Sequence, residues 1–104
     1  MTGMPYGLKD ETVEAIHNVF AKYPEVDAAI LYGSRAKGNF KPGSDIDLTL
    51  KGESLNLKLL NKISLEIDDL LLPYNVDLSI YHQIDNPELI DHIERVGRIF
   101  YQSP

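Results

Sequence analysis

No cysteine occurs in the 104 residues, which excludes disulfides and thiolate metal sites and fits a reducing compartment. No run of about 18 apolar residues occurs either, so the sequence predicts no membrane-spanning helix. The first residues, MTGMPYGLKDE, lack the apolar core of a signal peptide, and the expected location is cytoplasmic. Positive charge is also scarce. Ten Lys and Arg stand against sixteen Asp and Glu, a net charge of −6. Proteins that grip a nucleic-acid backbone carry a basic field, so no direct contact with nucleic acid is expected.

What is present is an ordinary globular composition, 43% hydrophobic and 25% charged, which argues against disorder. The length suits one domain, 1–104, with one core. Against the acidic background, three basic residues, Arg35, Lys37 and Lys41, gather in the stretch YGSRAKGNFKPGSDIDLTL, Tyr32 to Leu50. A local sign opposed to the global sign points to a small polyanion as the target of that loop.

The chain reads as helix, strand, loop, strand, helix, strand, helix. Asp10 is placed to cap a helix carrying Val13, Ile16, Phe20 and Tyr23 at helical spacing, and Pro24 stops it. Val26 to Tyr32 is a short apolar strand. Ile46 to Leu50 alternates apolar and polar. Ser54 is expected to open a helix with Leu60, Ile63, Ile67 and Leu70 on one face, ended by Pro73. Asn75 to Tyr81 alternates again. Asn86-Pro87 is a cap followed by proline at the first helical position, and Gly97 is expected to close that helix. Arg98 to Tyr101 is a tail of strand-like composition. The expected fold class is α/β (α+β): a small mixed sheet of three or four strands with helices packed on one face.

Strand phase brings the carboxylates together. Side chains alternate across a strand, so Ile46, Leu48 and Leu50 share one face while Asp45, Asp47 and Thr49 share the other. In the same way Val76, Leu78 and Ile80 oppose Asp77, Ser79 and Tyr81. The apolar sets must meet the helices, so Asp45, Asp47 and Asp77 fall on the open face. Three close carboxylates repel one another and raise at least one pKa. A hard divalent ion relieves this, and three aspartates on a rigid sheet can hold two Mg²⁺ of the kind that clamp a phosphoryl group. The Gly33-Ser34 turn then has a task. Its backbone can approach a phosphate closely, SRAK (Ser34 to Lys37) can form a short helix aimed at it, Ser34 adds a hydroxyl, and Arg35 and Lys37 add charge.

These residues resemble the signature of the minimal nucleotidyltransferases, the MNT branch of the DNA polymerase beta superfamily: Gly-Ser, ten residues, Asp-x-Asp, and a third aspartate on the next strand. The resemblance spans nearly the whole chain. It implies transfer of a nucleoside monophosphate from an NTP to a hydroxyl, with release of pyrophosphate. It implies that Gly33 and Ser34 bind the triphosphate and that Asp45 and Asp47 ligate two Mg²⁺. Asp77 would complete the catalytic metal site and help deprotonate the acceptor. Larger relatives carry an added acceptor-binding domain, so a second protein is expected to bring the acceptor here. Small MNT proteins are often the antitoxin of a HEPN/MNT toxin–antitoxin pair, which implies a HEPN-type toxin as partner, ATP as donor and tyrosine as acceptor. Two alternatives stay open: a small-molecule transferase of the aminoglycoside-modifying type, and an antitoxin that neutralises its partner by binding alone.

Other polar residues are read as structural. His17, His82 and His92 show no metal-ligand spacing. His17 and His92 are expected to pack at helix flanks, and His82 to lie in a loop. Tyr32 is expected to pack, and Glu66, Asp68 and Asp69 to form a solvated helix face.

Overall fold

Two asparagines set two of the helix starts. Asn56 accepts a hydrogen bond from the Leu59 amide at 2.8 Å, and Asn86 accepts one from the Glu88 amide at 3.0 Å. Each satisfies an amide that the first helical turn leaves without a partner. In the computed structural model, which describes residues 5–104, the elements are α1 (Asp10–Ala21), β1 (Ala28–Tyr32), α2 (Ser34–Lys37), β2 (Ile46–Lys51), α3 (Leu57–Asp68), β3 (Val76–Ile80), α4 (Pro87–Val96) and β4 (Arg98–Gln102). One-turn 3-10 helices lie at Pro5–Gly7 and Tyr81–Gln83. Residues 1–4 of the expected N-terminal reading lie outside the described residues. The helix expected from Ser54 starts at Leu57 because Asn56 provides the cap. Asp10 is not a cap: Lys9 holds that position, and Asp10 and Glu11 sit in the first turn, where the helix dipole favours anions.

The strands form one sheet in the order β3-β2-β1-β4. β1 pairs antiparallel with both β2 and β4, and β2 pairs parallel with β3. The parallel pair needs a crossover, which α3 supplies. The fourth strand is the Arg98 tail. One face of the sheet carries Ala29, Leu31, Ile46, Leu48 and Leu50, all fully buried. They pack in one cluster with Ile16 and Phe20 of α1 and Ile63 and Ile67 of α3. Glu66 leaves the expected solvated face: it accepts from the Tyr23 hydroxyl and pairs with Lys22 at 3.0 Å, tying α3 to α1. Asp68 and Asp69 are exposed. His17 packs as expected, with its ring against Phe100 and Tyr101 and its Nε2 at 2.6 Å from the Phe100 carbonyl.

The expectation of helices on one face holds for α1 and α3 and is corrected for α4. Ala28, Ile30 and Tyr32 of β1 stand outside the main core cluster, and α4 and the Gly97 that follows it meet Tyr32 and Ile30. The His92 ring meets the Tyr32 ring edge-on at 6.2 Å. Ile93 is buried but stands outside the main cluster. Gly97 closes α4 as expected, with its amide on the Ile93 carbonyl at 2.8 Å. Its backbone is extended rather than left-handed, and what requires glycine is space. A Cβ there would strike the Ile93 carbonyl oxygen and come within 2.8 Å of Ile30 Cγ2. Gly97→Ala should therefore push α4 off β1 and cost about 1–3 kcal/mol, the usual cost of overpacking. Urea unfolding of both proteins measures it, and an unchanged midpoint would contradict this packing.

Candidate active site

The site begins where β1 ends. Gly33 has φ 78° and ψ −157°, a backbone state that side chains rarely tolerate. Its absent Cβ matters as much, because a methyl group there would collide with Asp47 Oδ2. The turn therefore lies directly against the Asp47 carboxylate. α2 then forms one turn, Ser34–Lys37, and Gly38 closes it at φ 87° with its amide on the Ser34 carbonyl at 2.9 Å. The first amides of such a turn have no intrahelical partner. Ser34 is half-buried and Lys37 is exposed.

Register fixes the carboxylates. Tyr32 lies opposite Asp47, and Asp47 lies opposite Asp77, so the three form one row across β1, β2 and β3. Asp47 is half-buried and Asp77 exposed, while Asp45 lies just before β2 and is exposed. Burial pushes the Asp47 carboxyl above its usual pKa, with Asp77 and then Asp45 adding to the rise; the His92 imidazole opposes it. The next row holds Thr49 and Ser79, whose buried hydroxyls have no hydrogen bond of normal geometry among the described residues. Burial also raises the Tyr32 phenol. The Ser79 hydroxyl beside it lowers it in part, and Asp47 and Asp77 raise it further.

Among the described residues, no three Asp, Glu, His or Cys side chains converge closely enough to enclose a metal ion. The donor set itself suits a hard cation: oxygen ligands only, in register, with one carboxylate already strained by its neighbours' charge. A cleft of about 430 Å³ opens at the far end of β2, between Lys51, Tyr81 and His82. None of the expected site residues lines it.

Arg35 is a correction. It is only 2% exposed, and its guanidinium is spent on backbone carbonyls. Nε and Nη2 donate to Ser44 O at 3.1 and 2.8 Å, Nη1 to Tyr6 O at 2.8 Å, and Nη2 also to Pro42 O at 3.3 Å. Phe40 and Tyr74 rings stand 5.0 and 4.9 Å from the guanidinium carbon. Arg35 thus pins the loop that delivers Asp45, and it presents no charge to a phosphate. His92 was missed. Its Nε2 accepts the Gly33 amide hydrogen at 3.1 Å, which puts α4 in contact with the turn. The signal was present: Leu89, His92, Ile93 and Val96 make an i, i+3, i+4, i+7 stripe, with the histidine inside it.

Comparison with known proteins gives the fold and the family. A chain of a toxin–antitoxin complex crystallised with AMP-PNP shares the fold at TM-score 0.70, with 18% identity over 88% of this chain and 73% of that one. A complex of a tri-AMPylated Shewanella oneidensis HEPN toxin with its MNT antitoxin matches at 0.65, with 16% identity over 89% and 71%. These show a shared fold. The sequence then places the chain: the family model "Polymerase beta, Nucleotidyltransferase" matches residues 14–104, and the chain belongs to that family. It is 31% identical over 81 residues to the putative protein adenylyltransferase MJ0141 of Methanocaldococcus jannaschii, covering 70% of this chain and 77% of that protein. The chain is a nucleotidyltransferase.

Two substitutions test the site. Arg35→Lys removes the planar fork and leaves part-buried carbonyls unpaired, so it should cost roughly 2 kcal/mol by urea unfolding. A loss below about 1 kcal/mol would show that the loop does not depend on the guanidinium. Asp47→Asn should raise the melting temperature in EDTA at neutral pH. A carboxyl whose pKa is raised by folding favours the folded state while protonated and loses that contribution as pH rises through the folded pKa. The advantage of the variant should therefore be largest at neutral pH and narrow as pH falls through the raised carboxylate range. A gap that widens in acid would reverse the sign of the electrostatic account.

Proposed function

We propose that the chain transfers AMP from ATP to a tyrosine hydroxyl of a HEPN-type toxin. The observation that carries the chemistry is the register pair Asp47 and Asp77, set on the sheet face that α4 shares and directly beside the Gly33-Ser34 turn. The acceptor rests on the relative named a protein adenylyltransferase and on the fold shared with chains of HEPN toxin–antitoxin complexes. An acidic surface, net −6, also suits a partner that binds RNA.

In this reading the Ser34 hydroxyl and the first amides of α2 hold the polyphosphate. Asp45, Asp47 and Asp77 would hold two Mg²⁺, which when bound would neutralise the carboxylates and phosphates and draw charge from the reacting phosphoryl group. Lys37, exposed at the end of α2, adds positive charge at the mouth. Asp77 is the exposed end of the aspartate row and accepts the proton of the incoming hydroxyl. The hydroxyl oxygen forms a bond to the α-phosphorus, the bond from that phosphorus to the bridging oxygen breaks, and pyrophosphate leaves. Most of the acceleration comes from positioning and charge.

The test is mass spectrometry of the HEPN-type partner after incubation with the wild-type chain, ATP and Mg²⁺. AMP should appear on tyrosine. Asp77→Ala, and the Asp45→Ala, Asp47→Ala double variant, should slow the transfer by about a thousandfold while the proteins stay folded. Calorimetry should show ATP binding that weakens sharply in EDTA. Modification confined to a small-molecule hydroxyl, or full neutralisation by the double variant in cells, would replace this reading with one of its rivals.

A further inference from the structure

We propose that His92 is a positioning residue for nucleotide binding, holding the Gly33-Ser34 turn in its phosphate-ready shape from helix α4. The turn needs an external hold. Gly33 sits at φ 78° and ψ −157°, a region that glycine can enter and also leave easily. On one side the turn meets Asp47, a repulsive neighbour for any phosphate. On the other side, the Gly33 N–H donates to His92 Nε2 at 3.1 Å. The accepting nitrogen must be unprotonated, so the ring proton sits on Nδ1.

The imidazole is itself well held. Its ring packs edge-on against Tyr32, the residue before the turn, at 6.2 Å and 81°. Its neighbour Ile93 is 3% exposed, and the close approach of Gly97 to Ile30 seats the end of α4 on β1. Histidine 92 thus clamps consecutive residues, Tyr32 by its ring and Gly33 by its nitrogen. The Gly33 amide is committed to this bond, so it is not a phosphate donor in this arrangement. Ser34 and the amides that follow it are the donors, and their direction depends on where Gly33 is fixed. On this account the phosphate-binding turn comprises two pieces far apart in sequence, the Gly-Ser stretch and one histidine of α4.

The inference rests on the nucleotide reading above, and binding is measured with a non-hydrolysable ATP analogue and Mg²⁺ so that the acceptor plays no part. His92→Phe keeps the ring packing and loses the acceptor. It should weaken analogue binding about tenfold and lower the melting temperature by a few degrees, because the part-buried Gly33 amide loses its acceptor. His92→Gln can offer its amide oxygen to the same N–H and should restore most of the affinity. In the nucleotide-free protein, the Gly33 amide resonance should move in His92→Phe and return toward its place in His92→Gln. Equal affinity in His92→Phe and wild type would overturn the proposal. So would a His92→Gln variant as weak as His92→Phe, since the ring and not the acceptor would then matter. A wild-type protein that binds no analogue would overturn both readings. One that binds it but modifies no partner would sink only the acceptor assignment, and the affinities of the variants would still decide the role of His92.

Discussion

The pleat of β2 ties stability to chemistry. Ile46, Leu48 and Leu50 are fully buried against α1 and α3, and a one-residue slip would exchange their face with that of Asp47 and Thr49. The apolar core therefore holds the carboxylates in place. Burial of three large aliphatic side chains opposes any shift of the strand, while Asp47 gains nothing from its own position and has its pKa raised by it. The charge crowding is tolerated because the strand has no other register that keeps its core.

This coupling explains what was legible in advance. Period-two alternation in Ile46 to Leu50 and in Asn75 to Tyr81 is enough to put Asp47 and Asp77 on one face, and the observed pairing sets them opposite each other. Helix starts were readable to within a few residues. Asn56 took the cap from Ser54, because either side chain can bind a first-turn amide and only the packing of Leu55 and Ile63 selects between them. The side of the sheet taken by α4 was not readable. An amphipathic stripe says that a face is buried and not against which surface, and the choice here follows from Gly97 leading directly into a strand that pairs with β1.

Arg35 was misassigned, and His92 packs at the helix flank as expected but makes a second, unforeseen contact, for related reasons. Each belongs to a polar type that was given a role from its charge or its spacing to other ligands. Arg35 lies in a basic loop beside a phosphate-binding signature, and nothing local shows that Phe40 and Tyr74 will enclose its guanidinium or that Tyr6, Pro42 and Ser44 will supply the acceptors. His92 lacks a metal-ligand partner in sequence, and its contact is to a backbone amide 59 residues away. Backbone partners leave no residue-type trace. Side chains that serve the main chain of another segment are therefore the part of a site least visible in a sequence.

The mixed sheet also sets an order of assembly. β1 and β2 are antiparallel neighbours joined by the loop that Arg35 secures, so Asp47 meets the Gly33 turn through a modest loop closure. β2 and β3 are parallel, and their pairing must wait for α3 to cross over and dock. Asp77 joins Asp47 only at that later stage. The β1-β2 hairpin by itself carries the Gly33-Ser34 turn and Asp47 but not Asp77. A nascent or partly folded chain would then lack the paired acids until α3 has crossed over and β3 has joined β2.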